Sequence, residues 1–190
     1  MDNKFEDKKQ AALQATLELI AEQGFHATPM SQIAKRANIG VGTIYRYFNS
    51  KEDLINALYI ESKARLSNYV LRNYSESKPV RECFNQLIHD TIHYFIDNSS
   101  HLSFIEQYSN SPLISTETRK EGLRIAGPTI GLFKRAMEQG LFKELPLQII
   151  GALISGATIS FAKLYLSGDV NPDENSLTAS INAIWDMVKR

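Results

Sequence analysis

Apolar residues recur at helical spacing along almost the whole of this 190-residue chain. Leu13, Leu17 and Ile20 follow the three- and four-residue spacing that places side chains on one face of a helix. No segment shows the strict alternation of apolar and polar residues that is typical of a half-buried strand. The spacing therefore predicts an all-α fold. With 43% hydrophobic residues, the chain can build an ordinary globular core.

Glycine, proline and asparagine mark the ends of the predicted helices. Gly24 is a helix stop, Pro29 after Thr28 suits a first turn, and Asn38 breaks the second helix. Ser50 with Asp53 marks the start of the fourth helix, Pro128 should kink or split a later one, and Asn171 can cap the last. The predicted helices cover residues 5–23, 29–37, 41–48, 50–74, 79–97, 101–109, 115–139, 145–166 and 173–189.

The second and third predicted helices form a short pair joined by a tight turn. Ile44 and Phe48 fall on one side of the third helix, whereas Gly42 and Arg46 fall on the opposite side. Ile33 and its alanine neighbours give the second helix a matching inner face, and the turn between the helices has three or four residues. This arrangement is the plan of a DNA-binding helix-turn-helix.

The outer side of the third helix carries residues suited to a nucleic acid. Val41 and Gly42 are small enough for the backbone to approach base edges in a major groove. Arg46 can reach a phosphate or pair with a guanine, and the tyrosine and threonine hydroxyls suit phosphate oxygens. The start of the fourth helix, with Lys51, is a candidate anion site. The residues predicted here to contact DNA are Val41, Gly42, Thr43, Tyr45, Arg46, Tyr47 and Lys51.

The charge distribution agrees with a local DNA-binding surface. Lysine plus arginine and aspartate plus glutamate each number 21, which argues against a polybasic nucleic-acid coat. Residues 26–51, however, contain four basic residues and no acidic ones. Chance clustering on a solvated helix face is the alternative explanation.

The segment ATPMSQIAKRANIGVGTIYRYFNSKEDL, preceded by LELIAEQGF, resembles the DNA-binding domain of the tetracycline-repressor (TetR) family of bacterial regulators. The resemblance covers about residues 8–58 and is highly specific at Ile33-Ala34, Gly42-Thr43, Tyr45, Tyr47-Phe48 and Lys51. Asn38 and Gly40 depart from it, because the family often has glycine and a serine or threonine cap at these two positions. Both residues tolerate the backbone required there.

The resemblance implies an N-terminal three-helix bundle with a helix-turn-helix, over 1–50, and a larger helical ligand-binding and dimerisation domain, over 51–190. It further implies a homodimer, formed through the last two long helices, that binds a near-palindromic double-stranded DNA operator and is released by a small molecule. It places Thr28 and Ser31 near phosphates, and Ile181 and Trp185 on the last helix are candidate dimer-interface residues. Polar residues among the apolar ones of the central helices suit an apolar or aromatic effector with a few polar anchors. These candidate ligand-binding residues are His89, His93, Tyr94, Gln107 and Tyr108.

Residues 145–162 form an uncharged stretch at the lower length limit of a membrane span. Its proline, glycines and polar residues favour instead a helix that is buried on most sides. Ala152, Gly156 and Ser160, at four-residue spacing, allow close approach of another helix. A subunit interface and ordinary core packing both remain open.

The motif HDTIH, with His89 and His93 on one helix face, is the nearest approach to a catalytic signature. It resembles the zinc-protease pattern H-E-x-x-H, but aspartate replaces the glutamate base, and no third ligand is evident apart from His101 or a carboxylate. We therefore predict no enzyme activity, no metal site and no cofactor. The single Cys83 and the absence of a secretory signal suggest a cytoplasmic protein. The alternative function is a helical protein-interaction module without specific DNA readout.

Overall fold

A computed structural model describes residues 2–190, with side chains from residue 6 onward; Met1, the first residue of the predicted first domain, lies outside this range. Within it the chain forms α-helices and one isolated bridge between Phe142 and Lys189, without strands. The predicted all-α fold class is confirmed. The helices are α1 (Asp2–Gln23), α2 (Met30–Arg36), α3 (Val41–Ile44), α4 (Lys51–Leu71), α5 (Val80–Asp97), α6 (Ser99–Tyr108), α7 (Thr116–Ile125), α8 (Gly127–Glu138), α9 (Leu147–Leu166) and α10 (Glu174–Val188).

The helices gather into two compact units. The first consists of Met1–Lys63 and Ser100–Gly122, and the second of Ala64–Ser99 and Leu123–Arg190. The boundary falls within α4, so its last two turns belong to the second unit. The functional division at residue 50 stays a prediction, because packing units and functional domains need not share their limits.

Several helix ends lie where the glycine, serine and proline signals in the sequence predict them. Gly24 adopts φ +80° and its N–H donates to the carbonyl of Ile20 at 2.9 Å, which confirms the predicted stop of α1. The Ser50 hydroxyl accepts the N–H of Asp53 at 3.0 Å, as expected of a cap at the start of α4. The helix that contains Pro128 is split as predicted, and α8 begins at Gly127 with the proline in its first turn.

Other ends differ from the prediction by a few residues. Pro29 precedes α2 in an extended conformation, with φ −75° and ψ 153°, and is not part of the first turn. The cap of α10 is Asp173 rather than Asn171, because the Asp173 carboxylate accepts the N–H of Ser176 at 2.8 Å. α4 ends at Leu71, three residues before the predicted end.

The third helix is shorter than predicted. Regular α-helix ends at Ile44 rather than at Phe48. The carbonyl of Ile44 then accepts the N–H groups of both Tyr47 and Phe48, at 2.9 and 3.0 Å. The chain thus continues in turns of mixed three- and four-residue spacing, and Ile44 and Phe48 both stay on the inner side.

The core of the second unit lies around α5, which packs against α8, α9 and α10. Phe84 on α5 is fully buried, and its ring lies 5.0 Å from the Trp185 ring and 6.1 Å from the Phe142 ring. Burial of such aromatic side chains contributes a large share of the free energy of folding.

α9 is not buried on most sides, which corrects the expectation from its sequence. Its buried residues form one stripe at three- and four-residue spacing: Ile150, Ile154, Thr158, Ala162 and Tyr165. Only 28% of its most apolar window is buried, and by length and composition alone the helix could cross a membrane. A single stripe suffices to pack α9 on its neighbours, so the rest of this apolar helix is left uncovered.

Asn38 provides a stability test of the turn between α2 and α3. Its φ is +54°, a region that costs a β-branched residue about 1–2 kcal/mol. We expect Asn38→Val to lower the free energy of unfolding by about that amount in urea titrations, and Asn38→Gly to leave it nearly unchanged. Asn49→Val is the control, because Asn49 is exposed and its φ is not positive. Equal effects of the two valine substitutions would contradict the strain argument.

Candidate nucleic-acid interface

The helix-turn-helix segment has a buried inner side and an exposed outer side. Ile33 and Ile44 are fully buried and Phe48 is 4% exposed, which confirms the predicted inner face. On the outer side Val41 and Tyr45 are 41% and 51% exposed, unusually high values for large apolar side chains. Their exposure leaves them available for contact with another molecule.

Gly42 and Arg46 lie on the same outer side and are exposed. No atom lies within 4 Å of the position that a Cβ of Gly42 would occupy. The guanidinium of Arg46 makes no hydrogen bond or ion pair with the part of the chain that the structure describes. The same holds for the ammonium of Lys35 on α2, which sequence reasoning counted among the basic residues but did not assign to a contact. Both cations can therefore meet an anion without first breaking an internal bond.

Arg36 contributes less to the positive surface than the sequence suggests. Its guanidinium makes two hydrogen bonds of 2.9 Å to the Glu22 carboxylate and lies 3.4 Å from Glu18, both on α1. The hydrogen bond from Arg36 lowers the pKa of the Glu22 carboxyl below its ordinary value. The acid-free stretch of residues 26–51 is thus partly neutralised by an acidic face of the preceding helix.

Lys51 is engaged inside the first unit. Its ammonium donates a hydrogen bond to the carbonyl of Phe25 and lies 4.0 Å from the centroid of the Phe25 ring. Burial lowers the pKa of the Lys51 ammonium. A phosphate contact by Lys51 stays a prediction, and it would have to compete with these internal contacts.

The other predicted DNA contacts differ in exposure. Ser31 is exposed, whereas Thr43 and Tyr47 are half-buried. Thr28 is fully buried, and its hydroxyl donates to the carbonyl of Gly24 at 2.8 Å. The hydroxyl of Thr28 is therefore occupied in holding the loop before α2.

Sequence reasoning missed a contact between this loop and α6. The Phe25 N–H donates to the hydroxyl of Tyr108 at 3.3 Å, and the Tyr108 ring stacks on Phe104 with centroids 5.1 Å apart. The loop backbone at Phe25 is thus hydrogen-bonded through its N–H to Tyr108 of α6 and through its carbonyl to Lys51 of α4. No local pattern signals a bond between residues 83 positions apart.

The candidate ligand-binding residues fall into both units. His89, His93 and Tyr94 lie on α5 in the second unit, and the two histidine rings are 4.4 Å apart. Gln107 and Tyr108 lie on α6 in the first unit, where Gln107 is exposed and Tyr108 is buried. No group of three His, Cys, Asp or Glu side chains that could hold a metal ion occurs among residues whose side chains are described.

The candidate dimer residues divide by exposure. Ala152, Gly156 and Ser160 on α9 are exposed. Ile181 is buried in the core of the second unit, and Trp185 packs against that core with the Arg81 guanidinium 4.4 Å from its ring centroid. The side chains of α10 that face outward are instead small or polar: Thr178, Ala179, Asn182, Ala183 and Asp186.

Comparisons with known proteins match both parts of the chain. Residues 12–58 match the family of bacterial regulatory proteins called the tetR family, and residues 79–189 match a tetracyclin repressor-like C-terminal domain. An uncharacterized HTH-type transcriptional regulator of Haemophilus influenzae is 25% identical over 187 residues, 97% of each chain.

Solved structures agree with this match at the level of the fold. A TetR family transcription regulator of Marinobacter aquaeolei has a TM-score of 0.93 at 22% identity, over 100% of this chain and 99% of that one. The Bacillus subtilis regulator FadR, solved in complex with stearoyl-CoA, has a TM-score of 0.71 at 22% identity, over 94% and 96% of the two chains.

Proposed function

The chain belongs to the tetR family of bacterial regulatory proteins, and we propose from this that it is a repressor that binds a near-palindromic operator as a homodimer and is released by a small molecule. The observation that carries the proposal is the outer side of α3. Val41, Gly42, Tyr45 and Arg46 are exposed there, directly over the buried Ile44 and Phe48. A rigid, buried support holds these side chains in a fixed geometry for a major groove.

In the proposed complex, Arg46 pairs with a base or a phosphate, and Lys35, Ser31, Thr43, Tyr47 and Lys51 approach the DNA backbone. Thr28 has no direct contact in this proposal, because its hydroxyl is buried. Each protomer places α3 in one major groove, with half-sites about one helical turn apart or slightly more. The role requires no catalysis and places the protein in the cytoplasm with the DNA.

The second protomer would cover the exposed apolar side of α9. Ile149 and Leu166 are 45% and 41% exposed, and nothing lies within 4 Å of a Cβ built on Gly151 or Gly156. Ala152, Gly156 and Ser160 then form the close contact, together with the small outward residues of α10. The proposed interface does not depend on Ile181, which already packs in the core.

The effector is proposed to bind the second unit near α5. His89 and His93 are half-buried there and offer polar anchors among apolar side chains. FadR of Bacillus subtilis, which shares the fold, was solved with stearoyl-CoA, so molecules with long apolar chains are candidates. Release follows if the effector favours a separation of the two α3 helices that does not fit the operator.

Arg46→Ala tests the DNA contact. We expect it to weaken binding to fragments of the gene's own upstream region by about 1–3 kcal/mol in fluorescence anisotropy. If Arg46 pairs with a guanine, preference at one base is also relaxed; if it contacts a phosphate, the loss is uniform and the salt slope falls by about one. Lys120→Ala on α7 removes an exposed charge outside the helix-turn-helix and should leave binding unchanged. Equal binding of operator and random duplex by the unaltered chain would refute the proposal and favour an interaction module.

A further inference from the structure

Two histidine rings lie next to each other on α5 of the second unit. His89 and His93 are one helical turn apart, and their ring centroids are 4.4 Å apart with the ring planes tilted by 51°. Both residues are half-buried, and 33% of the His89 side chain is exposed, so water and small ions can reach the pair. Two imidazole nitrogens that bind one ion at about 2.1 Å lie about 3.4 Å apart, a separation that these rings can supply.

A buried carboxylate sets the orientation of the His89 ring. Nδ1 of His89 lies 3.1 Å from Oδ1 of Asp90, which is 2% exposed and also accepts the side-chain N–H of Gln86 at 2.9 Å. An ionised carboxylate can only accept hydrogen bonds, so Nδ1 carries the proton and the lone pair of the neutral ring lies on Nε2. Histidines that bind metal ions commonly donate their other N–H to a carboxylate in this way. Asp90 therefore prepares Nε2 of His89 as a metal ligand.

The other ring nitrogens of the pair are not engaged in internal bonds. Nε2 of His89 and both ring nitrogens of His93 make no hydrogen bond or ion pair with the residues whose side chains are described. An ion can therefore bind these nitrogens without the loss of an internal contact.

The charges around the two rings favour a cation on balance. Oδ2 of Asp90 is buried and has no hydrogen-bond partner among the described residues, so this carboxylate gains from a positive charge on the His89 ring. His93 lies near the negative C-terminal end of α5, and the exposed Asp97 follows one turn later. Arg72 opposes the ion, with its guanidinium 3.8 Å from Asp90 Oδ1, but its side chain is 48% exposed and solvent screens its charge.

We propose that His89 and His93 bind one divalent transition-metal ion of the kind that imidazole prefers, such as Zn²⁺ or Ni²⁺. The ligands are Nε2 of His89 and one ring nitrogen of His93, water fills the other positions, and Asp90 is a positioning residue. The inference goes beyond the proposed function, in which the two histidines are polar anchors for an organic effector. It replaces the expectation from the sequence that the chain has no metal site, which rested on the lack of a third protein ligand. Two protein ligands make an open, exchangeable site rather than a structural one.

Calorimetric titrations of the full chain, without an affinity tag, with Zn²⁺, Ni²⁺ and Mg²⁺ test the proposal. We expect one Zn²⁺ or Ni²⁺ to bind per chain with a dissociation constant in about the micromolar range, and no binding of Mg²⁺, which prefers oxygen ligands. His93→Gln should weaken Zn²⁺ binding by about tenfold or more, because a single imidazole remains. His26→Gln is the matched control, since His26 is an exposed histidine of the first unit with no histidine one turn away, and it should bind as the unaltered chain does. Absence of saturable Zn²⁺ and Ni²⁺ binding, equal binding of Mg²⁺, or unchanged binding by His93→Gln would overturn the proposal.

Nitrogen NMR of the isotope-labelled, unaltered chain identifies the ligands even if a variant fails to fold. Zn²⁺ should shift the resonances of His89 Nε2 and of one ring nitrogen of His93, and leave those of His26 and His101 in place; the reverse pattern overturns the site. Asp90→Asn should weaken Zn²⁺ binding by about 10- to 100-fold with one ion still bound per chain, and unchanged affinity would refute its positioning role. Since none of these measurements involves DNA, their failure leaves the repressor proposal intact, and failure of operator recognition leaves the metal site intact.

Discussion

Gly42→Glu is expected to reduce operator binding by about 100-fold or more and to leave the fold intact. The new carboxylate would meet phosphates and base edges at the place where the α3 backbone comes nearest to the groove. Because Gly42 is exposed and nothing lies within 4 Å of its added Cβ, the side chain fits without internal clash. Glutamate also has a higher helix propensity than glycine, so the free energy of unfolding should be unchanged or slightly raised.

The measurement combines anisotropy titrations on operator DNA with thermal unfolding of the same proteins. Gly131→Glu on α8 is a matched control, because Gly131 is an exposed helical glycine that also has no atom within 4 Å of its Cβ position. It adds the same charge outside the helix-turn-helix and should leave operator binding within about threefold. Wild-type affinity in the Gly42→Glu variant would show that α3 does not enter a groove.

Gly156→Arg is expected to convert the proposed homodimer into a monomer of 21.4 kDa. The arginine would project from the exposed side of α9, where the proposed interface requires close approach of two helices. Two arginines facing each other across a two-fold axis add repulsion to the steric clash. Operator affinity should fall by about 100-fold or more. A monomer binds each half-site separately, so it loses the high effective concentration that a dimer gives to its second protomer.

Light scattering on purified protein gives the mass directly. Gly131→Arg is the control. It adds the same side chain at an exposed glycine of α8 whose Cβ position is also free of atoms within 4 Å, and this variant should remain dimeric. The proposed interface fails if Gly156→Arg retains the dimer mass, or if the unaltered chain is itself a monomer at micromolar concentration.

The helix-turn-helix could be predicted because its determinants are local. Ile44 and Phe48 share a face by helical periodicity alone, and Gly24 and Asn38 adopt the positive φ values that their residue types favour. The end of regular α3 at Ile44 was not predictable, because residues 45–48 contain no glycine or proline that would end a helix.

Side-chain partners could not be predicted where they depend on how helices cross. The pairing of Arg36 with Glu22 joins α1 and α2, and the acid-free stretch of sequence gave no indication of it. Ile181 was predicted as a dimer-interface residue, but it packs in the core, and its orientation there depends on the packing of α10 against α9. Asp90 was noted only as a poor catalytic base in HDTIH, because its burial becomes visible only in three dimensions.

Both backbone polar groups of Phe25 are hydrogen-bonded to side chains: its N–H to the Tyr108 hydroxyl and its carbonyl to the Lys51 ammonium. The loop before α2 is therefore not a free linker, and a displacement of either α6 or the first turn of α4 must change the direction in which the chain enters the helix-turn-helix. The direction in which α2 and α3 leave the loop is consequently set in part by α6, 83 residues away in sequence, through the hydrogen bond between Phe25 and Tyr108.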